Sequence, residues 1–204
     1  MSNNLKNVLI EVRKAYRLIY LYQKNIISTI DRFSQEFPCQ FYWWTPTKNS
    51  PTPQRSTNPT GRWVWDFLPL YSPAFLYISE GGQASDHSPG EWLLSLELIT
   101  DSEYDPDGAE PNPLNFEKAE NSETLLIASF WYCKKAIKEN WYYGIWRELD
   151  YPEETYDEYE SPEGLVCVKK EFALEELEDE NLIIKATQNF KQIITTHIPE
   201  IDWE

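Results

Sequence analysis

Residues 90–100 read GEWLLSLELIT. Within them Trp92, Leu94, Leu96 and Leu98 alternate with Leu93, Ser95, Glu97 and Ile99. A period of two marks a strand whose two faces differ. One face is wholly apolar and has to be covered. The other mixes Leu93 and Ile99 with Ser95 and Glu97, which fits a face turned partly toward water or toward a site.

Working outward, residues 39–45 (CQFYWWT), 63–66 and 74–79 read as further short strands, as do 124–133 (TLLIASFWYC) and 165–168, extending to about 172. Residues 141–146, WYYGIW, are almost wholly aromatic or apolar and read as a buried strand after a hairpin or short helical turn. Leu5, Val8, Leu9, Val12, Tyr16, Ile19, Ile26, Ile30, Phe33 and Phe37 fall three and four apart. That spacing predicts a long amphipathic helix over 5–37, interrupted near 23–25 and ended by Pro38. Its polar side carries Arg13, Lys14, Arg17, Lys24 and Arg32. Leu182, Ile183, Ala186, Phe190, Ile193 and Ile194 predict a second helix over 179–198, capped by Asp179 and ended near Pro199. Consecutive strands flanked by terminal helices imply one α+β domain. Its sheet region spans 39–172, with five to seven mainly antiparallel strands and both long helices packed on it. The pattern leaves open whether the N-terminal helix packs internally or pairs with a second copy as a homodimer.

A chain of 204 residues with 41% hydrophobic and 15% aromatic content, including 9 Trp, can bury one sizeable core. No run approaches the roughly 18 apolar residues of a membrane span. Charges interrupt the N-terminus throughout, unlike a signal peptide. Cys39, Cys133 and Cys167 are few and scattered, which reads as reduced thiols in a cytoplasm. The net charge of −16 is unevenly spread. Residues 1–62 hold nine basic residues against three acids (+6), and residues 63–204 hold nine against 31 (−22). Such a field repels phosphate backbones, which disfavours nucleic acid, and it attracts basic proteins.

Motifs for chemistry are sparse. The two histidines, His87 and His197, fall in a turn and at a helix end, so a nucleophile lacks an evident base. No ligand spacing suits zinc, and no glycine-rich loop suits a nucleotide, so no cofactor is expected. Glu103, Asp105, Asp107 and Gly108 resemble part of a calcium loop, but the twelfth position is Leu114, not glutamate. Asp66, Glu97 and Asp101 are the carboxylates that could gather a divalent metal for phosphodiester hydrolysis. Trp43, Trp44, Trp63 and Trp65 could line a small-molecule pocket, or be plain core. The proline-rich loop 46–61 has no assignable role.

The strongest functional signal is a surface. Glu148, Asp150, Glu153, Glu154, Asp157, Glu158, Glu160 and Glu163 are interleaved with Tyr151, Tyr156 and Tyr159, with no basic residue between Glu148 and Glu163. Carboxylates speed encounter with a basic protein, and tyrosines can anchor it. The expected function is therefore non-enzymatic binding of a basic macromolecule, in an inhibitor, immunity-type or chaperone-like role. The contact would fall on Glu148, Asp150, Tyr151, Glu153, Glu154, Tyr156, Asp157, Glu158, Tyr159 and Glu160.

Overall fold

The computed structural model describes residues 2–106 and 108–203. In chain order its main elements are α1 (Ser2–Gln35), β1 (Cys39–Pro46), β2 (Pro73–Ser79), β3 (Trp92–Ile99), β4 (Leu125–Cys133), β5 (Tyr156–Tyr159), β6 (Leu165–Ala173) and α2 (Glu180–His197). The six strands form one antiparallel sheet in the order β1-β2-β3-β4-β6-β5. The molecule is a single-domain α+β protein, as the run of strands flanked by terminal helices implied.

Trp92, Leu94, Leu96 and Leu98 do face a common apolar layer. Ile26, Ile30 and Phe33 of α1 and Ile183, Phe190 and Ile194 of α2 close over them. Phe37 joins this layer just past the end of α1, packing against Trp92, Phe190 and Trp203. Asp179 caps α2 by accepting from the Leu182 amide at 2.9 Å, which satisfies one of the amides left free at a helix start. α1 is continuous through residues 23–25, so the expected interruption is absent. A polar triplet QKN costs a helix little when its ends are held.

The opposite face differs from expectation. It is covered, not turned to water. Ala74, Leu76, Ile78, Leu93, Trp131, Cys133, Leu165 and Cys167 form a second core, roofed by Ile137, Trp141 and Ile145. Part of this roof is the segment WYYGIW, which is a single π-helical turn (Trp141–Trp146) and not a strand. The Asn140 side chain accepts from the amides of Tyr142 and Tyr143, both at 2.9 Å, and starts the turn. Ile145 N then donates to Asn140 O at 3.1 Å and Arg147 N to Tyr142 O at 3.1 Å, the wide i to i+5 closure. Gly144 suits the tight wrap, because a Cβ there would lie 3.1 Å from the Glu139 Cβ. Short apolar runs do not separate a buried strand from a buried helical turn, and here capping decided the matter.

Residues 63–66 are likewise not a strand. Val64–Phe67 form a 3-10 turn, whose Trp65 packs against Tyr71, Tyr104 and Phe116. β1 carries a bulge between Phe41 and Trp43. The extra residue puts Tyr42 and Trp43 on the second face together, whereas Phe41 packs on Tyr77 beside the helices.

Candidate interaction surface

The acidic segment 148–163 joins the π turn to β6 and includes β5, an edge strand that sequence reading missed. Within β5, Tyr156 and Glu158 alternate with Asp157 and Tyr159, a period too brief to stand out inside a charge run. The tyrosines do not project as anchors, as was expected of them. They fasten the segment to the sheet. The Tyr151 ring lies 5.8 Å from Trp131, and its hydroxyl is buried. The Tyr159 ring lies 5.3 Å from Trp131, and its hydroxyl donates to Asp150 O at 2.5 Å. Tyr156 stacks on His197 at 4.8 Å and takes a hydrogen bond from Lys134 Nζ at 3.3 Å. Burying an aromatic ring is worth more than displaying it to water, and this inward pull sets the orientation of the rings.

The carboxylates are left outside. Glu148, Asp150, Glu153, Glu154, Asp157, Glu158 and Glu160 are exposed. Lys134 pairs with Glu158 at 3.7 Å, and Lys135 pairs with Glu163. Among the described residues, Glu148, Asp150, Glu153, Glu154, Asp157 and Glu160 form no ion pair. The result is a strip of unneutralised charge on a backbone pinned from beneath.

Under this strip lies a cluster of buried polar groups within the second core. Ser95 and Ser129 face each other across β3 and β4 and are almost fully buried. Trp146 Nε1 donates to Ser95 Oγ at 2.9 Å. Ser129 Oγ, Trp131 Nε1 and Tyr151 Oη are buried without a hydrogen-bond partner. Glu97 sits beside Thr47, Lys48 and Tyr151, and burial raises its pKa above the ordinary carboxylate value. A protonated carboxyl is the form such a setting favours.

The other candidates are dispersed. Asp66 is buried in the 3-10 turn, where it accepts from Ser50 N at 3.0 Å. Asp101 accepts from Glu103 N at 3.0 Å beyond the end of β3. Among the described residues, no three His, Cys, Asp or Glu side chains gather as a metal ion would require. In the calcium-like stretch Asp105 lies 3.9 Å from Lys48, and Asp107 falls outside the described residues. Trp43 contacts Tyr142 at 5.0 Å on the second face, whereas Trp65 belongs to the Tyr71 and Tyr104 cluster, so these tryptophans do not share one wall. The proline-rich loop is anchored: Thr47 bonds Ser72, Asn49 Nδ2 donates to Trp65 O at 3.0 Å, and Tyr104 donates to Asn49.

His87, Cys39 and Cys133 sit in settings that burial governs. His87 is stacked on Trp141 at 4.1 Å, with Nδ1 at 3.5 Å from Glu91 Oε2, and burial lowers its pKa. Burial pushes the Cys133 thiol up to about 12 and Cys39 to about 11, which removes thiolate character at neutral pH. The strand 39–45 was legible in the sequence, but not that Phe41, Trp43 and Trp44 lie exposed on its edge, with Trp43 beside Tyr143. The bulge that brings Trp43 onto Tyr142 and Tyr143 left no sequence signal.

The match to the PM0109 family covers residues 2–199. The chain belongs to the PM0109 family. One similar protein is the uncharacterized protein PM0109 of Pasteurella multocida (strain Pm70), 26% identical over 160 residues. That alignment covers 75% of this chain and 74% of the relative. No solved structure matches. Among the described residues, no helix is long and apolar enough to cross a membrane.

Proposed function

We propose that the protein acts by binding a basic protein partner through the carboxylates of 148–163, without catalysing a reaction. The observation that carries this reading is the division of labour within the segment. Tyr151 and Tyr159 hold the backbone against Trp131, while Glu148, Asp150, Glu153, Glu154, Asp157 and Glu160 stay exposed without an ion pair among the described residues. A pre-ordered charged surface loses little entropy on binding, and its field steers a basic partner to it. The acidic excess of residues 63–204 extends that field.

Glu153, Glu154, Asp157 and Glu160 are the residues to neutralise. Glu158 is left intact because its carboxylate pairs with Lys134. Immobilised wild-type chain and the E153Q/E154Q/D157N/E160Q variant are compared in capture from native lysate, with mass spectrometry of the bound proteins. The wild type is expected to retain a stoichiometric basic protein that the variant loses. Identical sets on both, or a dominant acidic protein, would contradict the reading.

A further inference from the structure

We infer that α1 pairs antiparallel with α1 of a second copy, through the half of the helix that the sheet does not cover. α1 runs 34 residues, about 51 Å at 1.5 Å per residue. Burial begins only at Ile26, and Tyr22 makes the first side-chain bond to the body, at 3.0 Å to Thr100 Oγ1. From Leu5 to Leu21 no side chain is buried. Leu5, Val8, Leu9, Val12, Tyr16, Leu18, Ile19, Tyr20 and Leu21 are all exposed, Tyr16 and Leu18 by 68% each. A helix of about 17 residues standing alone in water has marginal stability. Soluble monomers also seldom display so many large apolar groups together.

The pattern on this stretch is specific. Leu5, Val12, Ile19 and Ile26 are seven apart, and Val8, Ala15 and Tyr22 repeat at the same interval three places on. This is the heptad seam of paired helices. Its last members, Tyr22 and Ile26, seat on the body, and the same seam runs on uncovered. The flanking positions hold Leu9, Tyr16 and Gln23 on one side and Glu11, Leu18 and Asn25 on the other, so a single charge borders the seam. Lys6, Arg13, Lys14, Arg17 and Lys24 all lie on the outer side. Pairing therefore leaves every cation in water.

Charge also sets the direction. A parallel pair would bring together two bodies that each carry the −22 of residues 63–204. An antiparallel pair separates them and lays the basic half of each helix beside the acidic body of its mate. In the register that sets Val12 against the partner's Ala15, Val8 meets the partner's Ile19, and Glu11 meets the partner's Leu18. The free stretch is about 25 Å long. Burying it on both chains covers on the order of 1,000 Å², the size at which specific interfaces begin. A bilayer is the poorer occupant, because the acidic body is repelled by anionic lipid.

Sedimentation velocity of the full chain over a hundredfold concentration range tests this. The wild type should shift from one chain of 24.1 kDa toward twice that mass. Val12→Glu and Ile19→Glu alter only exposed positions, and circular dichroism and a thermal melt check that each still folds. Each variant should weaken self-association by about a hundredfold or more. The double variant V8C/I19C should form an intermolecular disulfide that V8C alone does not, as only the antiparallel register requires. A wild type that stays monomeric, a dimer that survives both glutamates, or cosedimentation with phosphatidylserine vesicles in place of self-association would overturn the inference.

Discussion

Glu97 shows how one residue reads differently in sequence and in space. In a strand of leucines its carboxylate drew attention as a candidate metal ligand. In the structure it lies beneath the acidic segment beside Thr47, Lys48 and Tyr151, and burial raises its pKa. The sign of the consequence follows. A carboxyl that holds its proton more tightly when folded contributes least to stability once pH rises past its folded pKa, and most below the ordinary value of 4.5. Glu97→Gln is therefore expected to raise the melting temperature at neutral pH, with the gain shrinking as pH falls toward 4.5. Thermal melts of both proteins across this range check it. A neutral-pH loss on substitution would instead mean an ionised Glu97 held by Lys48.

At the scale of elements, regular periodicity was legible and local capping was not. The alternation in β3 and the three-and-four spacing in α2 located both elements closely, because each repeats long enough to exclude other periods. The segment WYYGIW did not, since six apolar residues fit a buried strand and a buried helical turn equally well. Its fate rests on Asn140, whose side chain holds two amides of the turn and also receives the Tyr42 hydroxyl at 3.4 Å. Asn140→Ala should cost about 0.5–2 kcal/mol, the usual range for losing a helix-start acceptor. Urea unfolding gives the value directly. Because Trp43 packs on Tyr142, the variant should also change tryptophan fluorescence before global unfolding. A silent substitution would show that packing alone forms the turn.

For the whole molecule, charge asymmetry and two-sided burial explain most of what composition signalled. Fifteen percent aromatic content is more than one core needs, and the sheet buries aromatics on both faces. The sequence marked the place of the acidic strip, but not that its tyrosines turn inward, because that depends on Trp131 from a strand distant in the chain. The dispersal of Asp66, Glu97 and Asp101 was equally invisible, since only folding sets the loops that separate them. The structure is a sheet covered on both faces, with an exposed acidic strip at one edge and a helix whose N-terminal half is basic and carries an uncovered apolar seam.

The most direct test of that picture is hydrogen–deuterium exchange on the full chain, free and saturated with the basic protein that the capture experiment is expected to retain. Slowed exchange across residues 148–163, centred on β5, is the predicted result. Protection confined to the β1 edge or to α1, with 148–163 unchanged, would contradict it.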